Sequence, residues 1–256
     1  MVRVTACTNQ KGGVGKTTTV INLAASLALS GSPTLVVDLD PQGNATSGLG
    51  IDRRSLRSSV YDTLIERVPI RELTLGTSVE GLDIIPAGPE LSGAEVELVD
   101  VPGREHRLAA SLSEMDTLDA RYDRVLIDCP PSLGLLTVNA LAAADGVLIP
   151  IQTEYYALEG LSQLVNTIRM VREGLNPRLE IDGVLLTMYD GRTKLSAQVA
   201  SEVRRHMDGT VFETVVPRSV RLSEAPSHGL PVALYDPSSR GAHAYRSLAG
   251  EVLDRG

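Results

Sequence analysis

Apolar residues along this 256-residue chain fall into two alternating patterns, short unbroken runs and longer stretches with helical spacing. The runs at 2–8, 33–38, 82–86, 124–128, 146–151 and 181–187 have the length and β-branched content of strands buried on both faces. The stretches near 17–30, 56–66, 104–115, 134–144, 157–173, 194–207 and 241–253 repeat their apolar positions with helical periodicity. Strand and helix alternate, which predicts an α/β fold: a doubly wound, mostly parallel sheet with helices on both faces. In such sheets ligands bind beyond the carboxyl ends of the strands. Gly- and Pro-containing stretches around 87–93 and 236–241 are short, and no internal repeat is visible, so a single domain over residues 1–256 is expected.

The loop between the first predicted strand and helix carries the clearest chemistry. It reads Asn9-Gln-Lys-Gly-Gly-Val-Gly-Lys-Thr-Thr-Thr19. Only three basic residues of the chain are lysines, and two of them, Lys11 and Lys16, stand in this loop, where a compact ammonium serves phosphate as a point charge. Strand, glycine loop, helix is the context a phosphate cradle requires. Gly12, Gly13 and Gly15 let N–H groups turn inward around phosphate oxygens, with Val14 between them and Thr18 following, while the helix N-terminus adds partial positive charge. Lys16 is expected to reach the β and γ phosphates of ATP and Thr17 to ligate Mg²⁺. The usual P-loop glycine six residues before that lysine is replaced by Gln10, and an extra lysine, Lys11, opens the motif.

Two carboxylate segments sit at predicted strand ends. Arg124-Val-Leu-Ile-Asp128-Cys-Pro-Pro131 ends an apolar run on an aspartate suited to hold the Mg²⁺ shell through water; capping of the next helix is the alternative for Asp128. Asp38 and Asp40, two apart in Thr34-Leu-Val-Val-Asp-Leu-Asp-Pro-Gln-Gly43, fall on one face of an extended segment.

The variant loop and these segments together resemble the deviant Walker A ATPases of the ParA/MinD group, and most closely the small ParA/Soj-like partition ATPases, from Val2 to about Val252. The resemblance implies an ATPase acting in chromosome or plasmid partition. It implies an ATP-dependent homodimer in which Lys11 crosses to the partner's nucleotide, and Asp40 as the residue that orients attacking water. It places adenine between Met188 and Pro217. It also implies non-specific binding of double-stranded DNA by Arg192, Arg218 and Arg221, in Asp190-Gly-Arg-Thr and Pro217-Arg-Ser-Val-Arg-Leu-Ser, and a ParB-type adaptor that stimulates hydrolysis. The role of Asp38 stays open.

Charge qualifies the nucleic-acid expectation. The net charge is −8, which repels a polyanion on average. Residues 1–168 hold 12 basic and 21 acidic side chains, whereas 169–256 hold 12 and 11. A local basic surface outweighs a distant average once salt screens beyond about 10 Å, and Arg192, Lys194, Arg204, Arg205, Arg218, Arg221, Arg240 and Arg246 are expected to gather there. No helix-turn-helix segment precedes the loop, so base-specific readout is not expected.

Met1 runs straight into the first strand and no apolar run reaches the roughly 20 residues a membrane span needs. The expected location is therefore cytoplasmic and nucleoid-associated, without stable membrane attachment. Cys7 and Cys129, the two cysteines, read as buried apolar residues. Two alternative readings remain at this level. One is a MinD-like, membrane-associated regulator, for which Tyr245, Leu248, Val252 and Leu253 supply an apolar stripe but few cations. The other is a metabolic relative such as an amidoligase.

Overall fold

The computed structural model describes residues 2–116, 121–154, 157–207 and 209–255. The strands are β1 (Arg3–Cys7), β2 (Thr34–Asp38), β3 (Leu75–Gly76), β4 (Leu82–Ile85), β5 (Arg124–Asp128), β6 (Gly146–Gln152), β7 (Glu180–Tyr189) and β8 (Val211–Pro217). The first helices are α1 (Lys16–Leu29), α2 (Asn44–Gly48), α3 (Val60–Glu66), α4 (Ile70–Leu73), α5 (Leu91–Glu97) and α6 (Arg107–Asp116). They are followed by α7 (Leu135–Ala143), α8 (Ala157–Gly174), α9 (Lys194–His206), α10 (Val220–Glu224), α11 (Val232–Tyr235) and α12 (Arg240–Asp254).

All eight strands join one sheet in the order β3-β4-β2-β5-β1-β6-β7-β8, parallel throughout except for β3. The expected doubly wound architecture is what forms. Residues two apart in a strand share a face, and the core divides accordingly. Leu35, Val37, Val125 and Ile127 face a layer that includes α3, α6, α7 and α8. Val36 and Leu126 face the opposite layer, built on α1 and α12. Every residue of β2 and β5 is buried, which is why their sequences show continuous apolar runs and no alternation.

Several boundaries differ from expectation, each for a local reason. Helix α3 begins at Val60 and not at 56, because Ser59 and Asp62 form a capping box and the preceding Arg53–Ser55 is a 3₁₀ turn capped by Asp52. Strand β8 was not predicted. Its run Val-Phe-Glu-Thr-Val-Val-Pro is broken by Glu213 and Thr214 and ends in proline, a composition that only an edge strand tolerates. The N–H groups of Glu213 and Thr214 donate to the Glu251 carboxylate of α12 at 2.9 and 2.7 Å, so the edge is covered by a helix side chain. Tyr245 and Leu248 of α12 are buried and Val252 packs beside them, so most of the apolar stripe of that helix is used in packing on the sheet and α1, while Leu253 stays exposed. Among the described residues no helix is long and apolar enough to cross a membrane.

Register then fixes the site. Cys7, Asp128 and Asp38 are lateral partners at the carboxyl ends of β1, β5 and β2, beside the loop that leaves β1.

Candidate functional site

The phosphate loop occupies residues 9–15 and delivers α1 starting at Lys16. Gly13 and Gly15 have φ of +75° and +91°, a region that costs an L side chain strain. The loop is pinned at both ends: Asn9 Nδ2 donates to the Pro150 carbonyl at 2.8 Å, and Thr187 Oγ1 donates to the Val14 carbonyl at 2.8 Å. Lys16 is 6 % exposed, and its ammonium donates to the Lys11 carbonyl at 3.4 Å, so the cation is already folded back over the loop. Lys11 points elsewhere. Its ammonium pairs with Glu154 at 3.0 Å, and both side chains are largely exposed. Gly12 stands in open space, where a Cβ would meet nothing within 4 Å in the isolated chain.

Three aspartates converge below the loop. Asp128 is fully buried, and neither carboxylate oxygen has a hydrogen-bond partner of normal geometry. Burial pushes its pKa well up, the neighbouring Asp38 and Asp40 charges add to this, and the nearby Thr17 hydroxyl and Lys16 offset it only in part. Asp128 caps no helix: α7 starts after Gly134 without a side-chain cap. An orphaned buried carboxylate beside a lysine and a threonine fits a hydrated cation, and Thr17 with Asp128 are the groups that would hold Mg²⁺. Among the described residues no group of three or more His, Cys, Asp or Glu side chains is arranged to cage a metal unaided, so phosphate and water would complete the shell.

Asp38, left open by the sequence, acquires a structural task. One of its oxygens accepts the Asp40 N–H at 3.2 Å, and the other accepts the Thr46 N–H and hydroxyl at 2.8 and 2.6 Å. Thr46 Oγ1 in turn accepts the Ala87 N–H at 2.9 Å. Asp38 therefore organises the segment from Asp40 to α2, and its enclosure pushes its pKa up to about 6 against the opposing effect of these bonds. Asp40, 6 % exposed, accepts the Gln42 N–H at 2.9 Å and acts electrostatically on both Asp38 and Asp128.

A cavity of about 660 Å³ opens from the loop. It joins Gly15, Thr17 and Thr18 to Met188 and Pro217, the two residues expected to flank adenine, and Met188 has a φ of +50°, uncommon outside glycine. Asn44 and Ser47 of α2 also line it; nothing in their local sequence marked them.

The expected basic residues separate into two groups. Arg192 and Arg218 line a second, open groove of about 850 Å³ together with Arg240 and His243. Arg218 and Pro217 belong to both cavities, so β8 ends in a wall between them. Arg221 is not in this groove; it pairs with Glu224 at 2.8 Å and Asp236 at 3.2 Å. Arg192 makes a two-pronged contact with Asp190 at 2.9 and 2.8 Å and is otherwise exposed. Arg205 is engaged by Glu202, and of the cations expected on one surface only Arg192, Arg218 and Arg240 line this groove. His243 was missed because a lone histidine on a helix carries no signal in sequence.

A glycine loop between a central parallel strand and a helix, with an aspartate ending the neighbouring strand, defines a P-loop nucleotide-binding protein of the doubly wound type. A family model described as an AAA domain matches residues 2–181. The sporulation initiation inhibitor protein Soj of Bacillus subtilis is 56 % identical over 256 residues, all of both chains. The chromosome partitioning protein ParA of Myxococcus xanthus is 56 % identical, covering 99 % of this chain and 88 % of the relative. A crystal structure described as cobyrinic acid a,c-diamide synthase from Mycobacterium smegmatis with bound ADP and magnesium is 40 % identical. It superposes with a TM-score of 0.86 over 99 % of this chain and 94 % of that one. The chain belongs to the ParA/Soj family of partition ATPases within the ParA/MinD group.

Proposed function

We propose that this partition ATPase is one ATPase domain working as an ATP-timed switch on DNA. Lys16 and the N–H groups of residues 12–18 bind the phosphates, and Met188 and Pro217 flank adenine. Thr17 and Asp128 would hold Mg²⁺, which would supply charge neutralisation at the phosphates. Asp40 orients the attacking water. Lys11 leaves Glu154 and reaches the nucleotide of a second copy, where a cation supplied in trans stabilises charge on the transferred phosphoryl group. The sandwich dimer doubles the basic groups, Arg192 and Arg218 in the groove and Arg221 outside it, so non-specific duplex DNA is held in the ATP state and released after hydrolysis. A ParB-type adaptor stimulates that hydrolysis, and the protein works in the cytoplasm on the nucleoid.

The observation that carries this reading is the wall shared by the two cavities: Pro217 and Arg218 face the nucleotide cavity on one side and the Arg192–Arg240 groove on the other. The test is binding to a random-sequence duplex with ATP, ADP or no nucleotide across a salt series. Tight, salt-sensitive binding with ATP alone supports the switch. No binding in any state, with ATP-driven dimerisation intact, would refute it and send the samples to anionic vesicles.

A further inference from the structure

The end of the sheet opposite the phosphate loop holds charged side chains that the nucleotide chemistry does not use, Arg3, Arg124 and Arg255 among the carboxylates Asp182, Asp145, Glu180 and Asp123. β1 and β5 begin with Arg3 and Arg124, which are register partners. Adjacent strands at one register present both side chains on the same face, and like charges so placed destabilise the pairing unless compensated.

Arg3 is compensated. Its guanidinium donates to Asp182, whose other oxygen accepts the Thr5 hydroxyl at 2.8 Å. Asp182 reaches across β6 where Gly146 leaves room; a Cβ there would stand 2.0 Å from that carboxylate. Arg124 is not compensated. It is 7 % exposed, and its one hydrogen bond among the described residues is long, 3.4 Å to the Val252 carbonyl. No described carboxylate lies within ion-pair distance of it. Burial, reinforced by Arg3, lowers its pKa, and the Asp182 and Asp123 charges, which lie beyond ion-pair distance, offset this only in part.

A third guanidinium, Arg255 at the end of α12, lies 4.2 Å over the Phe212 ring and donates to the carbonyls of Asp182 and Val211 at 3.2 and 3.3 Å. These three cations and Asp182 surround a cavity of about 30 Å³ whose remaining wall is mostly apolar, including Leu126, Leu148 and Phe212. A single water needs about 10–15 Å³, so the space suits one monatomic anion and is tight for a tetrahedral oxyanion. Apolar walls strengthen the attraction of guanidinium groups for such an ion.

We propose that this cavity binds a small monovalent inorganic anion of chloride size, with Arg124 as its principal ligand and Arg3 and Arg255 beside it. The ion ties the start of β1 and β5 to the end of α12, the helix that packs against α1.

Thermal melts at constant ionic strength, with sodium chloride progressively replacing sodium gluconate, read the site directly. At ten times the dissociation constant the midpoint rises by about 3–6 °C by mass action. In Arg124→Met, whose stem keeps the packing, the chloride response is lost while ATP affinity at the far end of the sheet is unchanged. Chlorine-35 line broadening of the unaltered protein, reversed by bromide, gives a second readout should that variant fail to fold. A midpoint indifferent to chloride without excess line broadening would overturn the site, and so would a chloride response that persists in Arg124→Met. Equal protection by sulfate would overturn its size selectivity.

Discussion

Asp128→Asn separates what the aspartate does for the reaction from what it does to the fold. In the nucleotide-free protein the native state must bury a carboxylate with no hydrogen-bond partner of normal geometry beside Asp38 and Asp40. An unsatisfied buried polar group costs about 1–3 kcal/mol, and more when charged. The amide removes the charge and brings donors among two acceptor carboxylates. Stability should therefore rise by at least ~1 kcal/mol at pH 8, a midpoint increase of about 2–4 °C or more for a chain of this size. The pH dependence carries the sharper signature. A carboxylate whose native pKa is raised binds protons more tightly when folded, so its stabilising contribution is complete below the unfolded value and is lost as pH rises through the native one. For Asp38 that loss runs from about pH 4 to just above 6, and for Asp128 it likewise begins near pH 4 and ends as pH rises through its raised native value. Melts between pH 5 and 8 without nucleotide should show the unaltered protein losing stability as pH rises, with a shallower slope in Asp128→Asn. Magnesium-dependent hydrolysis should vanish in the same variant. A variant less stable than the parent at pH 8, or one with an unchanged pH slope, would refute the view of Asp128 as a carboxylate held in wait for a cation.

Other substitutions address the remaining roles. Lys16→Ala should lower ATP affinity at least tenfold by calorimetry, and near-normal binding would remove Lys16 from the phosphates. Asp40→Ala should leave ATP binding and dimerisation in place while turnover falls about 10²-fold or more, so a variant with rapid phosphate release would clear Asp40 of catalysis. Arg192→Ala and Arg221→Ala should each lower the salt slope of DNA binding by about one without affecting ATP-driven dimerisation; an unchanged slope for Arg221 would mean that its contacts with Glu224 and Asp236 persist on DNA. Glu154→Gln should free Lys11 and raise the ATP-bound dimer fraction measured by light scattering, whereas a lower fraction would show that Glu154 itself belongs to the dimer face.

Much of the site was legible in sequence because its parts are local. Gly13, Gly15, Lys16 and Thr17 act through backbone conformation and spacing within a few residues of one strand end, and a loop that must take positive φ and meet phosphate writes itself in glycine and lysine. Asp128 was legible for a similar reason, being the single charge that closes an apolar strand. β8 was not, since an edge strand lacks the two-sided burial that produces a continuous apolar run, and its partner in covering the edge, Glu251, lies 37 residues beyond Thr214. The short helices α2 and α10 were missed as well, because five residues give too little periodicity to read.

The sequence by itself determined the alternating architecture, the phosphate loop and the carboxylates at strand ends, because each depends on burial period or on chemistry within a short segment. Only the tertiary structure decided that Asp38 is occupied with Thr46 and Asp40, that Lys11 rests on Glu154, and that Arg192 and Arg218 share a groove with Arg240 and His243 while Arg221 does not. It also decided that Arg3 and Arg124, 121 positions apart in the chain, are register partners, with Asp182 paired to Arg3 and not to Arg124. Strand order and register bring these groups together, and they are set by how whole faces pack, a property that no short stretch of residues records.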